Sequence, residues 1–137
     1  MTNDTLDLTP LRRALARLEE GWERYQKDTT DTQIRDGLIQ RFEFTYEISH
    51  KMLKRYLKAT SANAAEFDEM SFQDLIRTGH GRGLLLHGWP QWRVYREMRA
   101  KTSHTYDEDV ALEVVADIPD FLKEAAFLLQ KLESAKA

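Results

Sequence analysis

The chain has 137 residues, with 20 Lys and Arg against 23 Asp and Glu, a net charge of −3 and no cysteine. That length suits one domain, expected over residues 1–137, and the missing thiols exclude a disulfide frame, a cysteine nucleophile and a cysteine-based zinc site. The acidic balance argues against a general nucleic-acid coat, and a polar Met1–Asp4 with no apolar run near the roughly 20 residues of a membrane span points to a cytoplasmic protein without leader or anchor.

Leu11, Leu15, Leu18, Trp22 and Tyr25 recur at helical spacing behind Thr9 and Pro10, which predicts a first helix over about residues 10–27, capped by Thr9. Asp31 is placed to cap a longer second helix. Its stripe runs through Ile34, Leu38, Phe42, Tyr46, Ser49, Leu53 and Leu57, and Thr45, Met52 and Tyr56 widen it enough to face more than one neighbour. The pattern lapses over Ser61–Ala64, and Asp68 and Glu69 read as a solvated loop. Ser71 and Asp74 then form a capping-box pattern opening a third helix through Leu75 and Ile76.

Gly79, Gly81, Gly83 and Gly88 each weaken a helix by up to about 1 kcal/mol relative to alanine, so the third helix is expected to end early in an irregular corner. Pro90 suits the first turn of a fourth helix carrying Trp92, Tyr95, Met98 and Arg99 and ending near Thr102–His104. Asp107 caps a fifth, with Val110, Val114, Ile118, Phe121, Ala125, Leu128 and Leu132 as its stripe. Pro119 is expected to bend or split it near Asp117. No segment alternates as a strand does, so the class is all-α, an antiparallel up-and-down bundle of four to five helices.

Charge is unevenly spread along this frame. From Arg77 to His104 the chain carries six Arg and Lys, three of its four histidines and one acid, Glu97; from Asp107 onward eight acids face three lysines. Arg93, Arg96, Arg99 and Lys101 are therefore candidate phosphate contacts. Arg99 and His104 together can steady a phosphate and move a proton, the minimum for metal-independent RNA cleavage. The plainer alternative has Arg99 paired with Asp107 or Glu108 and His104 capping the fourth helix. Trp89, Trp92 and Tyr95, interleaved with Arg93 and Arg96, suit base stacking in principle, but aromatics at this spacing are more often core. His80 and His87 have no ligand-spaced partners, so no metal and no cofactor are expected.

Two blocks resemble a known family. Leu38-Ile39-Gln40-Arg41-Phe42-Glu43-Phe44-Thr45-Tyr46-Glu47, continuing through Lys51 to Leu57, resembles the long second helix of the HepT-like, nucleotidyltransferase substrate-binding branch of the all-helical HEPN proteins. Arg99, His104 and Tyr106 meet that branch's R-x-x-x-x-H-x-Y pattern. The resemblance implies a homodimer with both Arg–His motifs around one shared cleft, and a separately encoded minimal nucleotidyltransferase as partner. It further implies binding of nucleotide or RNA, a toxin–antitoxin type pairing in some members, and attachment of AMP to the motif tyrosine, here Tyr106. Active ribonucleases of the family commonly carry a polar residue directly after the arginine, where this chain has Ala100. Weak or absent cleavage is the expectation, with an endoribonuclease using Arg99 and His104, or a purely structural dimeric bundle, as the alternatives.

Overall fold

A computed structural model describes residues 6–136; the polar Met1–Asp4 lies outside the described residues. Among these the chain forms six α-helices and no strand: α1 (Thr9–Lys27), α2 (Thr32–Ala59), α3 (Glu66–Glu69), α4 (Phe72–Gly81), α5 (Trp89–Lys101) and α6 (Glu108–Lys136), with a 3₁₀ turn at Thr102–His104. The bundle is built from the four long helices α1, α2, α5 and α6, and α4 closes one end against α2 and α5. No helix among the described residues is long and apolar enough to cross a membrane.

The caps account for most of the boundaries. Asp31 accepts from the amides of Gln33 and Ile34 at 3.0 and 3.1 Å, Ser71 from Asp74 at 3.1 Å, and Asp107 from Asp109 and Val110 at 3.0 and 3.3 Å. The α1 cap differs from expectation. Leu8 occupies the cap position without a side-chain bond, and Asp7 accepts from the Thr9 amide at 2.9 Å, so Thr9 is already helical.

Three further expectations are corrected. Asp68 and Glu69, read as a solvated loop, belong to the single helical turn Glu66–Glu69 because Phe67 is driven into the core, leaving Asp68 outside to accept from Lys58 at 2.6 Å. α4 does not stop short of its glycines: Gly79 is buried within it, and a Cβ there would lie 2.9 Å from Leu53 Cδ2 and 3.2 Å from Leu85 Cδ1, so a larger residue would make the Leu53 side chain shift. The irregular corner begins only afterwards, where Gly83 takes a φ of 77°. Finally, α6 is not split at Pro119 but continues as one helix from Glu108 to Lys136. The donor lost at Pro119 is one bond, whereas Val114, Ile118, Phe121 and Ala125 are all fully buried across the same stretch, and that packing keeps the chain helical.

Aromatic rings hold the centre. Trp92 meets Tyr95 edge-on at 5.2 Å, Tyr95 meets Phe121 at 5.2 Å and Phe121 meets Phe42 at 5.1 Å, joining α2, α5 and α6. Trp92 and Tyr95 are wholly buried, so they are core and not a stacking platform. Among the described residues the large exposed hydrophobic side chains are Phe44, Leu86, Tyr106 and Leu112.

Candidate functional site

The last turn of α5, the 3₁₀ turn and the start of α6 bring the motif residues to one end of α5. Thr102 is the hinge of this arrangement: buried, it donates to the Arg99 carbonyl at 2.7 Å and accepts from Arg99 Nη1 at 3.1 Å, which ends α5 and fixes the arginine at once. Arg35, buried on α2, then ties down the far side of the turn by donating to Glu108 Oε2 at 2.8 Å. Glu108 is thereby taken. Arg99 reaches across to α2, donating through Nε to Glu47 Oε2 at 3.1 Å and standing 3.5 Å from Glu43 Oε2. The pairing with Asp107 or Glu108 weighed from sequence is not the one formed.

His104 and Tyr106 project from this braced turn. Both are exposed, Tyr106 to 87%, and their rings meet edge-on with centroids 6.1 Å apart. The side chain of Tyr106 makes no hydrogen bond or core contact among the described residues, so it does not staple α6 to α5. Ala100 is exposed beside Arg99 and adds no polar group to it.

The basic cluster is less positive in space than in sequence. Lys101 donates to Glu113 Oε1 at 2.9 Å, which raises its pKa above the ordinary lysine value, and Arg93 stands 3.7 Å from Glu97. Arg96 lies over the Phe72 ring at 5.6 Å and has no acidic partner among the described residues. Beside Arg99, a groove of about 420 Å³ on α2 is lined by Gln40, Glu43, Phe44, Glu47, Ile48 and Lys51. Glu43 and Glu47 were not singled out from sequence, although their i, i+4 spacing within the quoted α2 block puts both on one face. The described residues hold no group of three or more His, Asp or Glu that could ligate a metal.

Comparison with known proteins fits this frame. A family model for nucleotidyltransferase substrate binding protein-like chains matches residues 6–134. The chain belongs to that family. It is 38% identical over 140 residues to the "Probable ribonuclease HepT" of Haemophilus influenzae, a match covering 96% of this chain and 95% of the relative. It also superposes, with a TM-score of 0.87 and 36% identity over 93% of this chain and 99% of the other, on a solved Haemophilus influenzae structure described as revealing the fold of a substrate binding domain of a nucleotidyltransferase. The HepT-like helical bundle is thus shared along nearly the whole length. The resemblance read from the two sequence blocks is the family the chain falls in.

Proposed function

We propose that this protein is the substrate-binding, HepT-like partner of a separately encoded minimal nucleotidyltransferase, in a toxin–antitoxin type pair in the cytoplasm. In this reading Arg99, with Arg93, Arg96 and Lys101, contacts nucleotide or RNA phosphate in a cleft shared by two subunits, and Tyr106 accepts AMP from the partner enzyme. The observation that carries it is the 87% exposure of Tyr106 on a turn braced by Thr102 and the Arg35–Glu108 pair. A large aromatic side chain held in solvent by a rigid turn stabilises nothing in the monomer, and its hydroxyl is open to a second protein's active site. The direct test is transfer of AMP onto this chain by the neighbouring nucleotidyltransferase.

A homodimer belongs to the same reading. Phe44, 40% exposed on α2 at the rim of the Arg99 groove, is the apolar side chain we assign to the contact. Sedimentation at micromolar concentration is expected to give about twice the chain mass, and Phe44→Glu to return the chain mass. A wild-type monomer would remove the shared cleft.

The second reading is a metal-independent endoribonuclease, favoured by the presentation of Arg99 and His104 at the same end of α5 and by the name of the Haemophilus relative. Arg99 is already neutralised by two carboxylates and Ala100 supplies no polar support, so RNA cleavage in EDTA is expected to be weak or absent. Robust cleavage abolished by His104→Ala would make this the leading reading.

A further inference from the structure

We propose that Glu43 and Glu47 act in opposite directions on a phosphate-bearing ligand of the α2 groove: Glu47 positions the Arg99 guanidinium, and Glu43 stands where a phosphate oxygen would go until the ligand displaces it. The inference rests on Arg99 being a phosphate contact, as in the function proposed above.

A guanidinium presents two donor forks that share Nη2, one with Nε and one with Nη1. In Arg99 the Nε arm donates to Glu47 Oε2 at 3.1 Å, and the Nη1 arm donates to Thr102 at 3.1 Å. Glu43 Oε2 lies 3.5 Å from Nη1, an ion pair without hydrogen-bond geometry, and Nη2 has no partner among the described residues. The side-on fork is thus partly filled by a well-made bond. On the end-on fork one Nη1 hydrogen goes to Thr102, and the only acid there among the described residues is Glu43, by the loose contact.

The two glutamates also differ in what holds them. Glu47 Oε1 is 3.3 Å from His50 Nε2, and the His50 ring is wedged edge-on against Tyr46 at 5.2 Å and Phe72 at 5.3 Å. Burial lowers the His50 pKa, so the imidazole is neutral near pH 7 and leaves the Glu47 charge to Arg99. Glu43 has no other hydrogen bond or ion pair among the described residues, and it borders the groove. Lys51, on the same groove, has no acidic partner there either and supplies a second cation. A phosphate that takes the Nη1–Nη2 fork in bidentate fashion replaces the weakest contact of the arginine while the Nε bond keeps the guanidinium plane fixed. Until then Glu43 cancels the field of Arg99, so weakly charged anions gain little by entering.

The test is fluorescence anisotropy with a short fluorescein-labelled single-stranded RNA at one fixed salt concentration, using Glu69→Gln on α3 as a control for the loss of one remote acid. Glu43→Gln is expected to tighten binding by about three- to fivefold, the range of an exposed charge pair, and Glu47→Gln to weaken it by a similar factor. In an Arg99→Ala background, Glu43→Gln should do no more than Glu69→Gln. The Arg99 Nε–Hε signal in a ¹⁵N NMR spectrum should persist in Glu43→Gln and be lost in Glu47→Gln, with the melting temperature of both kept within a few degrees. If Arg99→Ala abolishes binding but Glu43→Gln behaves like Glu69→Gln, the gate is refuted and the phosphate role of Arg99 stands. If Arg99→Ala binds RNA as the wild type does, that role fails and the gate with it. Tighter binding by Glu47→Gln, or a retained Arg99 signal in it, overturns the positioning role.

Discussion

Tyr106→Phe is expected to abolish incorporation of AMP when the protein is incubated with the nucleotidyltransferase partner proposed above, Mg²⁺ and ATP, whereas the wild type is expected to gain one or more AMP units by mass spectrometry. The step is simple in its balance: the phenolic oxygen attacks the α-phosphorus of ATP, a phosphodiester forms, pyrophosphate leaves and the phenolic proton is lost. Mg²⁺ supplied with the ATP would neutralise the departing charge. Nothing else in the turn substitutes for that oxygen unless Ser103 or Thr105 is reached instead, and a residual signal on either would appear in the fragment spectrum. Because Tyr106 is 87% exposed and its hydroxyl has no partner among the described residues, the substitution should cost less than about 0.5 kcal/mol and move the melting temperature by no more than about 2 °C. AMP still arriving in full on the variant would end the acceptor role. A large fall in melting temperature would instead make the ring structural.

The sequence favoured a Tyr106 hydroxyl that reaches a cleft mouth over a ring that staples α6 to α5, from its place two residues after His104 and just before the Asp107 cap. What was legible was what depends on neighbours along the chain: the α2, α4 and α6 caps at Asp31, Ser71 and Asp107, the stripes of α1, α2 and α6, and the end of α5 near Thr102. The failures share a cause. Phe67 made a helical turn out of an acidic stretch, Leu53 claimed Gly79, and the buried residues around Pro119 kept α6 continuous, each through contacts distant in sequence. Charge behaved in the same way. A run of Arg and Lys beside a single acid looks like an anion site, yet Glu43 and Glu47 reach Arg99 from α2, and Glu113 reaches Lys101 from α6. Linear charge density measures a segment, whereas a ligand meets the field after folding has brought the other helices in.

Glu124 is the extreme case of such a long-range contact, and Glu124→Ala is expected to destabilise the fold more than any of the substitutions named above. Its side chain is fully buried on α6 among Phe121, Ala125 and Leu128, where an isolated carboxylate would be prohibitive. It is satisfied by the corner that precedes α5. Leu86 donates its amide at 2.7 Å and His87 its amide at 3.2 Å, His87 Nδ1 stands 3.0 Å away, and the Tyr95 hydroxyl lies at 3.4 Å. Two of these donors are backbone amides at the one irregular stretch between α4 and α5, so the carboxylate does for the corner what hydrogen-bonded neighbours do inside a helix. Removing it leaves those amides without a partner and opens a cavity beside Tyr95, for a loss of about 3 kcal/mol. For a chain of this size that lowers the melting temperature by about 10 °C. Glu124→Gln keeps the volume and one acceptor but turns an amide donor toward other donors, so it should lose roughly half as much. Hydrogen exchange supplies the local reading: the Leu86 and His87 amides should exchange far faster in Glu124→Ala while those in the middle of α2 slow or quicken only with global stability. An alanine variant within about 1 kcal/mol of the wild type, with both amides still protected, would mean that water or another side chain replaces the carboxylate and that the corner is not anchored by it.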